Sequence, residues 1–163
     1  MNNKKIKSAS FLTKSALIAA IYVVLTWLSA LFGLSGGAVQ LRLSEMLSVL
    51  PIFTPAAIPG LFVGCILSNI FTGAVIWDVI FGSLATLLGA CGAFLLRKRS
   101  VWVAALPNIL TNSIIVPIVL RYAYGAEGSL VFLILTVFLG ELLSSGVLGI
   151  FFANTLKKHK IEL

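Results

Sequence analysis

The chain has 163 residues, 60% of them hydrophobic and 10% charged, with a net charge of +7 and a mean hydropathy of +1.10. A soluble domain carries about 25% charged residues, so this chain cannot cover a water-facing surface and reads as a membrane protein. Its basic residues sit between apolar spans rather than on one polar face, which argues against nucleic acid as a partner.

In chain order, Lys4, Lys5 and Lys7 precede an uncharged run from Ser15 to Leu41. That run is far longer than the roughly 7–15 apolar residues of a signal peptide. It is expected to be a spanning helix of about Ser15–Gly33. The next stretch, Leu43–Gly73, carries Pro51, Pro55 and Pro59. Three further spans follow at about Ile76–Leu96, Val101–Leu120 and Ser129–Leu156. Cys65 and Cys91 lie inside apolar runs without CxxC spacing and read as packing residues, so no metal is expected.

Parity fixes the proline-rich stretch. The basic clusters Lys4/Lys5/Lys7/Lys14, Arg97/Lys98/Arg99 and Lys157/Lys158/Lys160 belong in the cytoplasm by the positive-inside rule. The first helix then runs outward and the one ending at Leu96 runs inward, so Leu43–Gly73 begins and ends outside and either crosses twice or dips in and returns. Prolines break it into a short descending helix of about 43–53 and an ascending one of about 56–73. The expected fold is an all-α membrane protein, one integral membrane domain over 1–163. It has six transmembrane helices, both termini cytoplasmic, and a short, proline-broken second helix. Arg42 and Arg121 alone among the Lys and Arg residues fall outside. Small residues recur at four-residue spacing, as in Ala16/Ala20, Gly60/Gly64, Gly82/Thr86/Ala90 and Gly140/Ser144, which lets helices approach closely.

Charges in the hydrocarbon cost roughly 2.5–3.5 kcal/mol at a helix centre, so the few polar residues there are informative. Candidate ligand-binding residues are Gln40, Arg42, Glu45, Asn69, Asp78, Asn112 and Glu141; Asn108, the deepest of the intramembrane polar residues, is left out of this set. Plainer roles compete: interhelical hydrogen bonds for the asparagines and Glu141, a helix cap for Asp78, and a local i,i+3 pair for Arg42 and Glu45. Trp27, Trp77 and Trp102 read as interface anchors, and His159 as solvated. In VQLRLS, Val39–Ser44, polar and apolar residues alternate, a strand or extended-loop signal. With Gly36 and Gly37 as a hinge, it is expected to roof an outward-facing pocket with Gln40, Arg42 and Ser44. No nucleophile–base pair, phosphate loop or cofactor motif is visible, so binding without chemistry is expected.

The stretch VQLRLSEMLSVLPIFTPAAIPGLFVGCILSNIF, within this layout and its short basic tails, resembles the QueT family. The resemblance covers nearly the whole chain. It implies the substrate-binding (S) component of an energy-coupling-factor (ECF) transporter in a bacterial cell membrane, importing a queuosine precursor such as preQ1, preQ0 or queuine. An S component for another small aromatic or vitamin substrate is the alternative. The resemblance also implies partners: a membrane-embedded coupling subunit, docked through Ala16 and Ala20, and two cytosolic ATPases. This chain would then be no enzyme, and it would topple in the membrane to release its cargo. A carboxylate at Glu141 or Glu45 suits the paired donors of a guanine-type edge. Asp78 or the remaining glutamate suits the cationic aminomethyl group of preQ1. Phe71, Trp77 or Tyr122 is expected as an aromatic platform.

Overall fold

Long uninterrupted apolar runs can satisfy their backbone polar groups in lipid only by closing into helices. The structure, a computed structural model, describes residues 3–34 and 40–159. It contains α1 (Asn3–Leu31), a 3-10 helix (Leu43–Ile52), α2 (Ala57–Phe71), α3 (Ile76–Leu95) and α4 (Val101–Tyr122). The last rod runs through α5 (Leu130–Glu141), a π-helical segment (Leu142–Leu148) and α6 (Gly149–Lys158). Four stretches are long and apolar enough to cross a membrane: Lys7–Leu31, Ile76–Leu95, Val101–Tyr122 and Leu130–Lys158. No strand is present among the described residues.

Local chemistry sets several boundaries. Ser100 and Ser129 cap α4 and α5, their hydroxyls accepting from Val103 N (3.4 Å) and Phe132 N (3.2 Å). Hydroxyls within the apolar helices, such as those of Thr13, Ser29 and Thr155, donate back to the carbonyl four residues earlier, which keeps them satisfied without water. Gly73 ends the turn after α2 at φ +72°, in the left-handed region where glycine is favoured.

Contacts between rods give their directions. Gly60 packs on Ser15 and Ile18, and Gly64 on Ala19 and Tyr22, so α2 runs parallel to α1. A Cβ at Gly64 would lie 2.8 Å from that of Tyr22, which is why this pair of helices needs the small residues. Asn69 meets Asp78 and Cys65 meets Thr86, so α3 is antiparallel to α2. Gly92 lies on Pro107 and Thr111 bonds Ala85 O, so α4 is antiparallel to α3. Ser29, Thr26 and Tyr22 meet Leu43, Ser44 and Glu45 in turn, so the 3-10 helix descends against α1. Lys7, Lys14, Arg97–Arg99 and the Lys157/Lys158 pair therefore share one end of the bundle, and Arg42 and Arg121 the other.

The short second rod differs in kind from its expected form. Runs of 3-10 helix beyond a few residues are uncommon, yet this one has ten. At about 2.0 Å rise per residue it spans roughly 20 Å, further than an α-helix of the same length. It packs against α1, α2, α3, α4, α6 and the π segment, and most of its residues are buried. Its three-residue period aligns Glu45, Ser48 and Pro51 along one side. Leu47 and Leu50 join a core with Ile18, Tyr22, Leu61 and Leu156. Val49 joins a second core with Ala105, Ile109 and Ile150.

Of the two readings of Val39–Ser44 the strand is corrected, while residues 40–42 agree with an extended loop. Val39 lies outside the described residues, as do Gly36, Gly37 and Lys160. Gln40 and Leu41 are irregular, Arg42 is extended (φ −108°, ψ 109°), and Ser44 is already helical and fully buried. The alternation ends because Leu43 begins a helix whose period rotates Ser44 onto Thr26 of α1 (2.8 Å).

Candidate functional site

Glu45 stands near the top of the central 3-10 helix with 2% of its surface exposed. Burying a carboxylate requires partners, and neighbouring rods supply them. Tyr22 of α1 donates to Oε1 at 2.5 Å, and Asn108 Nδ2 of α4 donates to Oε2 at 2.9 Å. The same Nδ2 lies 3.3 Å from Glu141 Oε2 and 3.5 Å from Ser145 Oγ on the last rod. Ser145 and Ser48 share a hydroxyl–hydroxyl bond of 2.6 Å. Tyr22, Glu45, Asn108, Glu141, Ser145 and Ser48 thus form one buried network across three rods and the 3-10 helix. Glu141 closes α5 and Ser145 lies within the π segment. Glu141 and Ser145, four residues apart, lie on one side of the rod, so both reach the same amide.

The network is rich in acceptors and poor in donors. A carboxylate can accept about four hydrogen bonds, whereas Glu141 receives one, from Asn108. Asn108 Oδ1 and Ser144 Oγ are buried without a partner among the described residues.

A second polar group lies toward the end that carries Arg42. A cavity of about 240 Å³ is lined by Thr26, Arg42, Asn69, Asp78 and Tyr124, among others. Tyr124 donates to Asp78 Oδ2 at 3.0 Å and accepts from Val75 N at 3.2 Å. Arg42 Nη2 stands 3.8 Å from Asp78 Oδ2. Asn69 Nδ2 donates to the Asp78 carbonyl at 3.2 Å. Tyr124, in the α4–α5 connection, has its phenol pKa raised by partial burial and then by Asp78.

The expected site residues therefore divide. Arg42, Asn69 and Asp78 line the cavity, and Glu45 and Glu141 meet through Asn108. Arg42 and Glu45 do not form the local pair, because Arg42 turns to Asp78. Asp78 makes no side-chain capping hydrogen bond, but it lies in the first turn of α3, where the helix dipole favours an anion. Asn112 is buried and bonds Asn108 O within its own helix at 3.1 Å. Gln40 is partly buried, with its carbonyl directly against Gly140. Arg121 ties down the α4–α5 connection through Ala126 O and Gly128 O, both at 3.1 Å. Ala16 and Ala20 are exposed, beside the buried Ser15, Ile18 and Ala19.

The aromatic platform is corrected. Phe71, Trp77 and Tyr122 are all more than half exposed, and none lines the Arg42 cavity or bonds into the buried network. Tyr124 is the aromatic residue in the cavity wall, and Tyr22 the one in the buried network. Tyr22, Ser48, Asn108, Ser145 and Tyr124 are not among the expected ligand-binding residues. Hydroxyls in apolar helices give no signal of their own, since each can satisfy itself on its own backbone.

Four membrane-length apolar helices around a buried polar seam define a multi-pass integral membrane protein. The chain belongs to the QueT transporter family, whose family model matches residues 12–158. It is similar to a protein of Lactococcus lactis subsp. cremoris (strain MG1363) described as "Queuosine precursor transporter QueT", with 39% identity over 85 residues. That match covers 52% of this chain and 49% of the relative, so the chain matches about half the length of that protein. No solved structure matches the chain.

Proposed function

We propose that this chain is the substrate-binding component of an ECF transporter and that it captures a queuosine precursor with a 7-deazaguanine base. The observation that carries the reading is the Glu45–Asn108–Glu141 network: two buried carboxyl groups on one amide, with acceptor capacity left over. A guanine-type edge offers N1–H and an exocyclic amine as parallel donors, which a carboxylate accepts in pairs. Asn108 holds the two glutamates so that ligand donors meet oxygens already freed of water. Six crossings with both termini in the cytoplasm accord with the alternating rods and with basic residues gathered at one end. The cavity at the opposite end then opens outward.

Energy in this reading comes from partner subunits. The exposed Ala16 and Ala20 adjoin an apolar groove lined by Phe11, Leu12, Ala16, Ala19, Pro59 and Val63, a surface on which a coupling subunit's helix can lie closely. Replacing Ala16 and Ala20 together by leucine is expected to leave ligand affinity unchanged. It should abolish co-purification with the coupling subunit and uptake by cells. Unchanged uptake would remove this face from the docking role.

The main test is direct. Purified protein should carry a 7-deazaguanine identifiable by mass spectrometry, and in titrations should bind preQ1, preQ0 or queuine. Retention of an unrelated vitamin and indifference to all three bases would overturn the substrate assignment.

A further inference from the structure

We propose that the basic groove between the start of α1 and the start of α2 holds the phosphate of an anionic phospholipid, whose acyl chain runs on along the apolar groove beside it. The lipid covers this face while the chain stands free in the bilayer. The site is independent of which base is carried.

The first observation is a groove in two halves. Lys7, Ser10, Phe11 and Lys14 of α1 meet Thr54 and Ala56 before α2 around a cavity of about 380 Å³. Positions 7, 10, 11 and 14 fall on one face of a helix. Phe11 also lines a second groove of about 240 Å³, which continues along Ala16, Pro59 and Val63. Ser15 pins the two helices together there, its hydroxyl donating to Ala56 O at 2.9 Å and to Phe11 O at 3.0 Å. A polar half that leads into an apolar half suits an amphiphile, whereas a free anion uses only the first.

The second observation is unmatched charge. Among the described residues the ion pair is Arg42 with Asp78, at the other end of the bundle, and neither Lys7 nor Lys14 meets a carboxylate. Glu45, Asp78 and Glu141 are buried away from this end, and Glu127 lies in the α4–α5 connection. Lys14 is partly buried. Two ammonium groups in one groove with no described carboxylate call for an anion from outside the chain.

The third is depth. The membrane-length stretch of α1 begins at Lys7. In the topology proposed above this is the cytoplasmic boundary, where anionic headgroups gather. Lys14 lies about 10 Å further along the helix, a distance its long stem can make up by reaching back toward the headgroups. The apolar groove starts where the acyl chains do. A coupling-subunit helix on Ala16 and Ala20 would displace the acyl chain, so the lipid belongs to the free chain.

The full chain in detergent is titrated with phosphatidylglycerol, with phosphatidylcholine of the same acyl chains and with glycerol 3-phosphate. Bound molecules are counted by native mass spectrometry, and melting curves check that each variant is folded. Phosphatidylglycerol should bind about tenfold or more tightly than phosphatidylcholine, and glycerol 3-phosphate should not be retained. Lys7→Gln with Lys14→Gln should weaken phosphatidylglycerol about tenfold or more. Lys98→Gln with Arg99→Gln removes the same charge from the same end but outside the groove, and should change it by no more than about twofold. Ala16→Phe, which fills the apolar half, should weaken it with both lysines intact. Equal affinity for the two lipids, equal losses in the two double variants, unchanged affinity in Ala16→Phe, or glycerol 3-phosphate held as tightly as the lipid would overturn the proposal. So would a Lys7/Lys14 double variant that keeps its lipid but no longer co-purifies with the coupling subunit, because the lysines would then serve the partner.

Discussion

Glu45→Gln is expected to remove high-affinity binding of the 7-deazaguanine while leaving the bundle assembled. Glutamine keeps the shape of the side chain, and its carbonyl still accepts from Tyr22, which donates to Oε1 at 2.5 Å. The second oxygen becomes an NH2 group facing Asn108 Nδ2, which now donates to Oε2 at 2.9 Å. That places donor against donor in the seam where the ligand must also present donors. Hydrogen bonds to a charged group contribute about 1.5–3 kcal/mol each. Losing two of them weakens binding about a hundredfold or more. Stability should fall by about 1.5–3 kcal/mol, for the one internal bond to the carboxylate that is lost. Calorimetric titration and a melting curve in the same detergent separate the two effects. A variant that bound like the parent would show that Glu45 serves packing alone.

Gly89→Ala should force α3 and α4 apart. Its Cβ would lie 2.7 Å from Asn108 Cα and closer still to Asn108 Oδ1. A flexible side chain can swing away from such a contact, but a backbone atom cannot, so α3 and α4 must part. Overpacking of this kind costs about 1–3 kcal/mol. Here it also moves the amide that joins Glu45 to Glu141, so affinity should drop together with melting temperature. Gly146→Ala is the matched control, because nothing lies within 3.4 Å of a Cβ there. Equal melting temperatures for the two variants would contradict the close approach of α3 and α4.

Much of the fold was legible because apolar length is a one-dimensional property. The four long spans could be counted residue by residue, and the basic clusters said which ends belong together. The prolines located the break between the 3-10 helix and α2. The helical type of Leu43–Ile52 was not legible, since its period emerges from packing against six other segments rather than from propensity. The π segment was equally hidden: Ser144, Ser145 and Gly146 are ordinary small residues until Asn108 opposes them. For the candidate site, scarcity of charge in lipid pointed to Glu45, Asp78 and Glu141. Asn108 was noticed, yet its place between the two glutamates depends on three rods meeting. Phe71, Trp77 and Tyr122 misled because an aromatic ring serves lipid contact and base stacking equally well, and only orientation distinguishes the two.

The contact between Gln40 and Gly140 sets an asymmetric constraint on how this chain can diverge. Position 40 contributes a carbonyl, which every amino acid has, so any side chain there preserves the junction. Position 140 contributes the lack of a Cβ, which glycine alone provides. Drift is therefore free on one side of the joint and closed on the other, one residue before Glu141.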